Sequence, residues 1–366
     1  MAIKEIGVHM QYPWKSSDSA YYKNLIDFPP RNVTYMNGKR EIVTEKEKLW
    51  QNIRFKRFAR NLIRSFYPSL PNAHLTKSST KFNLIHCAHC LSLNKKPWVA
   101  DIEFADQFWA SINKKSSRRK ILRILESSHC KKILPWSEWS KKNILERFPE
   151  IHEKVELVYP AMPIRKKKEE KSGPFKILFI GRDFKGKGGY VALKAIEDLT
   201  RRFKDIQGIL IGDIPPGLLK KYKNSERIDL HQLVTQENLF ELFYPSADVF
   251  LYPTFSDTLG FAILEAQSFG LPVIATKTAS THTVNETIAN NKTGFIIEDK
   301  NVNLERREFS EAAIREMIKK IELLYLNKKL LKKMSKAAQK QFIDGKFSIK
   351  KRNEKLEKIY IGALED

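Results

Sequence analysis

Two carboxylates and two cations stand out in the second half of this chain. Glu265 lies among Ala262, Ile263, Leu264 and Ala266, a run too apolar to surround an unpartnered charge, whose burial is very costly. Such a carboxylate must be hydrogen-bonded or open onto a crevice. Eight residues before it, Asp257 stands where a helix would begin, beside backbone N–H groups that suit anions. Well upstream, Gly181-Arg182-Asp183-Phe184-Lys185-Gly186-Lys187-Gly188-Gly189 makes a glycine-rich basic loop. Its backbone can approach phosphate while Arg182 and Lys187 supply charge. These groups together suit a ligand that presents both hydroxyls and phosphates. The bland alternative is a capping Asp and a Glu paired with a buried Arg or Lys.

The elements that must position these residues are legible around them. Ala247 to Tyr252 is a short run rich in β-branched and aromatic residues, ended by Pro253, and reads as a strand. Ser256 and Asp257 are good helix caps, with Gly260 in the first turn. Gly270 and Pro272 punctuate the helix end, and Val273 to Ala275 begins the next strand. Phe175 to Ile180 leads into the basic loop and a helix over Tyr190 to Leu199.

This string resembles the acidic signature of retaining glycosyltransferases of the GT-B fold (glycosyl transferase group 1, family 4), where an acid is followed after seven residues by Glu. Here the first acid is Asp257 rather than the commoner Glu. The Gly-Arg…Lys-Gly spacing is similar to the phosphate-binding loop of the same family. The resemblance covers residues 174–300 by motif and the first half only by order of elements. It implies an α/β fold of two Rossmann-like, doubly wound domains facing across a cleft. Residues 1–165 would form the acceptor-binding domain, 166–173 a charged linker, 174–345 the nucleotide-sugar domain, and 346–366 a helix returning to the first.

The resemblance also implies roles. Gly181, Arg182 and Lys187 would hold the donor diphosphate, and Glu265 the ribose hydroxyls. Asp257 would meet the donor sugar, with Thr258 and the N–H groups of Leu259, Gly260 and Phe261 beside it. The family uses no cofactor and no metal; Arg and Lys stand where other glycosyltransferases place a divalent ion. The donor is a nucleotide-diphosphate sugar, and the acceptor a glycan, a lipid-linked or another hydroxyl. Where the family often carries a cleft-facing His, this chain offers Asp101 and Glu103, which would share one face of a strand. Glu103, nearest the strand end, is the candidate for catalysis, with a surface carboxylate as the alternative.

The remaining segments read as α/β alternation. Ile3 to Val8, Phe82 to Leu91, Trp98 to Ile102, Cys130 to Trp136 and Val155 to Tyr159 read as strands of the first half. The loop Gln11 to Ala20 carries Ser16, Ser17 and Ser19, which could bind sugar or phosphate but as loop serines are solvated by default. Glu45 to Ser69 reads as a basic helix with a stripe including Trp50, Phe58 and Phe66. That stripe fits core packing, with the basic side turned to anionic lipid head groups. The loop His231 to Asn238 would lie near the nucleotide base.

Composition bounds the alternatives. A chain of 366 residues with 42% apolar content has room for two cores. Three cysteines fit a reducing cytosol rather than a disulfide framework. His86, Cys87, His89 and Cys90 suggest a metal, but they sit in an apolar run without a second ligand pair at zinc spacing. No apolar run approaches membrane-spanning length, and no secretory leader pattern opens the chain. A cytoplasmic protein, peripheral at the inner face of the membrane, is expected. The net charge is +24, and residues 1–172 carry 34 Lys+Arg against 17 Asp+Glu, so the first half holds +17 of it. That asymmetry concerns partners and leaves anionic membrane, anionic substrate and nucleic acid open, although nucleic-acid motifs are missing. A non-catalytic basic binding protein on a GT-B scaffold, or a nucleotide-sugar epimerase, are the rival readings.

Overall fold

The computed structural model describes residues 5–11, 20–37, 70–78, 80–110, 115–165 and 173–365. It divides into two compact units, Met1–Ala161 with Ile349–Asp366, and Met162–Ser348. The basic segment Glu45 to Ser69, the serines of the first loop and linker residues 166–172 lie outside the described residues.

Unit 1 holds β1 (Ile6–Gln11), β2 (Val33–Tyr35), β3 (Ala73–His74), β4 (Leu84–Ala88), β5 (Leu91–Ser92), β6 (Trp98–Ile102) and β7 (Cys130–Pro135). Five of them form a parallel sheet in the order β2-β1-β4-β6-β7, while β3 pairs with β5. Every residue of β4 and β6 is buried, as befits strands covered on both faces. Its described helices before residue 161 are α1 (Ala20–Asp27), α2 (Lys115–Glu126) and α3 (Glu138–Arg147), the last capped by the Ser137 side chain on the Ser140 N–H.

Three strand expectations need correction. The first strand begins at Ile6 and runs past Val8 to Gln11. The run from Phe82 to Leu91 is interrupted at His89, whose φ of 55° turns the chain between β4 and β5. Val155 to Tyr159 makes only an isolated bridge from Val155 to Ile133. The N–H groups of Glu156 and Val158 still reach carbonyls of Ile133 and Pro135, but Pro135 has no N–H with which to continue a ladder.

Unit 2 contains β8 (Phe175–Gly181), α4 (Gly189–Arg202), β9 (Ile206–Gly212), α5 (Pro216–Tyr222), β10 (Ile228–His231), β11 (Val249–Tyr252), α6 (Phe261–Ser268), β12 (Val273–Lys277) and β13 (Gly294–Glu298). Helices α7 (Glu311–Leu326) and α8 (Lys328–Ile343) follow. The six strands are parallel in the order β10-β9-β8-β11-β12-β13. Side chains alternate between faces: Ile177, Phe179, Leu251 and Ile274 join one core with α4 and α7, while Leu178, Phe250, Val273 and Ala275 join another with α6. Strand order reverses between β8 and β11, and open parallel sheets bind ligands outside the strand ends at such a point.

Helix α9 (Ile349–Glu365) belongs to unit 1. Its buried Tyr360 hydroxyl lies 2.5 Å from His86 Nδ1 and 3.1 Å from the Tyr35 hydroxyl, and Arg352 Nη2 donates to the Phe28 carbonyl at 2.6 Å. His86 Nε2 is 2.7 Å from Asp101 Oδ2. His86 therefore joins a buried polar network, and Cys87, Cys90 and Cys130 are buried free thiols.

Candidate functional site

The ends of β8 and β11 bring the basic loop and the acidic stretch together. Gly188 has a φ of 79°, a left-handed conformation that favours glycine. A Cβ there would stand 1.8 Å from the Pro253 carbonyl oxygen, so the loop backbone lies directly on the end of β11. Lys187 is thereby held beside the acidic stretch. Its Nζ donates to Asp257 Oδ2 at 2.7 Å and to the Ser256 carbonyl at 2.9 Å. Both side chains remain partly exposed, Lys187 at 29% and Asp257 at 21%, so the pair is open to an arriving ligand. Arg182, the first residue after β8, is exposed.

Both carboxylate oxygens of Asp257 are held from the protein side. The Tyr252 hydroxyl donates to its Oδ2, and the Gly260 N–H donates to Oδ1 at 3.0 Å. Its backbone is pinned to the loop after β12, from the Asp257 N–H to the Ser280 carbonyl and from the His282 N–H to the Asp257 carbonyl. The hydroxyl of Thr283 adds a bond to the Thr258 carbonyl at 2.8 Å. The helix itself starts later than the residue types suggest. Its cap is Gly260 at φ 75°, and α6 begins at Phe261. Of the three N–H groups expected beside the ligand, that of Gly260 is already bonded to Asp257. Leu259 is buried, while Thr258 and Phe261 are half-buried.

Glu265 lies on α6, and the Tyr244 hydroxyl donates to its Oε2 at 2.8 Å. Burial pushes the Glu265 carboxyl up to about 7, against the opposing pull of the Tyr244 hydroxyl, Arg165, Gln236 and Arg182. A carboxylate balanced near neutrality with cations close by suits an acceptor of ligand hydroxyl hydrogens. Arg165 lies over the Phe240 ring, 4.1 Å from its centre. Burial, followed by the neighbouring carboxylates, raises the pKa of Tyr244 and Tyr252 well above the usual phenol value. Both therefore act as neutral donors.

The structure thus gathers Gly181, Arg182, Lys187, Asp257, Thr258, Leu259, Gly260, Phe261 and Glu265 around one end of the unit 2 sheet. Tyr244, Tyr252 and Arg165 were not legible as site residues, whereas Gln236, at hydrogen-bonding reach of Glu265, falls in the loop His231 to Asn238 expected near the nucleotide base. The tyrosines sit in apolar segments where an aromatic reads as core, and Arg165 is far off in sequence. Glu103 lies in unit 1. There β6 ends at Ile102, so the strand alternation does not reach Glu103, and the expectation that it shares a face with Asp101 fails. Asp101 is fully buried on His86, whereas Glu103 is half-exposed beside His89.

Residues 162–341 match the model of the family described as glycosyl transferases group 1. That match lies within unit 2. Its sequence relatives include a D-inositol 3-phosphate glycosyltransferase of Pseudarthrobacter chlorophenolicus, 32% identical over 134 residues, which are 34% of this chain and 31% of that protein. A glycosyltransferase from Rickettsia africae aligns over 100% of both chains at 17% identity with a TM-score of 0.61. The Anabaena protein HepE, solved with UDP and glucose, aligns over 98% of this chain and 100% of its own at 12% identity, with a TM-score of 0.60. These likenesses and the two parallel sheets show the GT-B fold of two Rossmann-like units. The matches to the first curated relatives span between 31% and 58% of those proteins. Among the described residues no helix is long and apolar enough to cross a membrane.

Proposed function

We propose that this chain is a retaining, metal-independent glycosyltransferase that moves a sugar from a nucleotide-diphosphate sugar to the hydroxyl of a glycan, lipid-linked or other acceptor. Unit 2 binds the donor and unit 1 the acceptor. The observation that carries this reading is the contact of Lys187 with Asp257 beside Arg182 and Glu265 at the reversal of strand order. Cations there meet the diphosphate, Glu265 accepts from the ribose hydroxyls, and Asp257 accepts from hydroxyls of the donor sugar. Glu103 acts on the acceptor side.

Breaking the bond from the anomeric carbon to the phosphate oxygen leaves an oxocarbenium-like sugar and a diphosphate of increased charge. Arg182 and Lys187 stabilise that charge where it develops. The acceptor oxygen bonds to the anomeric carbon from the same face, and its proton passes to the departing phosphate oxygen. No protein nucleophile is required, so the carboxylate pairing of glycosidases does not describe Asp257 and Glu265. The charge excess of residues 1–172 supports contact with an anionic membrane surface at the inner face of the cell membrane. Salt-insensitive or absent co-sedimentation with anionic vesicles would remove that part of the reading.

The experiment that tests the activity is hydrolysis or transfer from UDP-, GDP- and ADP-sugars by the full chain and by its Lys187→Ala variant. Turnover by the wild type that drops in the variant supports the reading. Turnover undiminished in Lys187→Ala would overturn it.

A further inference from the structure

Helix α8 has two unlike faces. Its sequence holds six lysines and no Asp or Glu. Lys329, then Lys332 and Lys333, then Lys336, Lys340 and Ile343 follow one another at steps of three or four residues. They therefore form one stripe along the helix, and all of them are exposed. Met334, Ala338 and Phe342 repeat at the same step on the opposite side and are buried. That inner side is locked onto the donor-site helix α6. Gln341 Nε2 donates to Gln267 Oε1 at 2.9 Å, and Gln339 Nε2 donates to the Arg165 carbonyl at 3.2 Å. A Cβ on Gly270, just past α6, would stand 2.8 Å from Ser335 Oγ. With its inner side so held, α8 keeps its lysines facing outward.

A run of lysines is most often a solvated face, and its surroundings decide whether it is more. Elsewhere in unit 2, exposed cations meet carboxylates. Lys194 meets Glu311 at 2.5 Å, Arg202 meets Glu322 at 2.6 Å, and Lys277 meets Glu298 at 2.7 Å. On α8 that matching is missing. Among the described residues, Lys329, Lys332, Lys333 and Lys336 form no ion pair, and Lys340 only approaches Asp344 at 4.0 Å. Like charges one turn apart repel, so this face gains from a partner that brings dense negative charge.

The shape of the stripe selects that partner. A membrane offers a flat array of anionic head groups, which a straight row of ammonium groups on a fixed helix meets along its whole length. Ile343, 57% exposed, lies within the stripe, and Leu326, 65% exposed, ends α7 directly before α8. Aliphatic side chains gain by entering the lipid interface, and lysine stems extend along it. Single-stranded nucleic acid is instead held on aromatic stacking platforms, and the one aromatic residue of α8, Phe342, is buried.

We propose that the outer face of α8 docks on the anionic phospholipid head groups of a membrane, with Ile343 entering the lipid interface. This surface belongs to unit 2 and is separate from the charge excess of residues 1–172. Because α8 packs directly on α6, the helix carrying Glu265 sits one layer behind the docked face, about 8–10 Å between axes.

The test is co-sedimentation of the full chain with phosphatidylcholine vesicles, with and without phosphatidylglycerol. The anionic vesicles should bind it and the neutral ones should not. Combined Lys332→Gln, Lys333→Gln and Lys336→Gln should lower that binding roughly 100-fold, since each lysine near an anionic surface contributes about fivefold. Combined Lys204→Gln, Lys220→Gln and Lys223→Gln removes the same charge from exposed lysines outside α8 and should retain most of the binding. In Ile343→Cys carrying a polarity-sensitive dye, with Cys87, Cys90 and Cys130 buried, emission should rise on the anionic vesicles. Absent binding, equal loss in the two triple variants, or a dye that stays in water on bound protein would each overturn the proposal. Binding undiminished in the α8 variant would also overturn it and leave membrane contact to the basic first half. A short single-stranded oligonucleotide is titrated in parallel. If the α8 variant loses the oligonucleotide but keeps the vesicles, the face belongs to nucleic acid instead.

Discussion

Tyr244 hands its hydroxyl hydrogen to Oε2 of Glu265 across 2.8 Å, from a fully buried phenol to a carboxyl raised to about 7. A hydrogen-bond donor favours the ionised carboxylate, and burial favours the protonated one. A Glu265 that must accept from ribose hydroxyls should bind the nucleotide more tightly as pH rises through about 7. Calorimetric titration with the preferred nucleoside diphosphate from pH 6 to pH 8.5 should show that step. In Tyr244→Phe the step should move to higher pH, and in Glu265→Gln it should vanish.

The same residue has a stability consequence of opposite sign. Its folded carboxyl titrates near 7 against an ordinary value of 4.5, so folding favours the protonated form. That contribution is full below about 4.5 and is lost as pH climbs through about 7. Replacing Glu265 by Gln should flatten this part of the stability-versus-pH curve, read by urea unfolding at several pH values. A curve that keeps its slope in Glu265→Gln would assign the loss to another group.

Lys187 holds Asp257 in the absence of donor and, in the proposed mechanism, meets the phosphate in its presence. Lys187→Ala should lower kcat/KM by roughly 10²-fold or more, the scale of losing one preorganised charge-stabilising donor. Arg182→Ala should fall in the same range. Steady-state kinetics with the preferred donor sugar decides. A loss confined to KM would place the two cations in ground-state binding alone.

Gly188 predicts a fold defect rather than a chemical one. Gly188→Ala adds a Cβ 1.8 Å from the Pro253 carbonyl oxygen at a φ of 79°. Overpacking and left-handed strain each contribute about 1–3 kcal/mol, so thermal unfolding should start well below that of the wild type. An unchanged melting temperature would mean that the loop does not rest on β11.

Much of unit 2 was legible in the residues because each signal there is local. The short apolar runs that become the almost continuously buried β8, β11 and β12, the glycines at 188 and 270 and the acid spacing from Asp257 to Glu265 all act within a few residues. What escaped was nonlocal. Tyr252 and Tyr244 reach their carboxylates only because strand and helix pack, and Arg165 arrives from the far edge of the unit. In unit 1 the run from Phe82 to Leu91 reads as one strand because apolar content says nothing of φ, and the turn at His89 depends on the bracing by Asn72 and Gln107. The helix start was misplaced for a related reason: Asp257 does bond an N–H, but Gly260, at positive φ, is where the helix begins.

The dependence of unit 1 on α9 bears on how the chain comes off the ribosome. Helix α9 fills the space above His86 and Asp101 with Tyr360, and closes over the end of α1 with Arg352. All of Met162–Ser348 is synthesised before that helix exists. The sheet of the first unit must therefore wait, with its polar heart open to water or held by a chaperone, while the second unit can finish folding ahead of it. In translation order the unit begun first is the one completed last, and substitution of Tyr360 should delay that completion more than it disturbs unit 2.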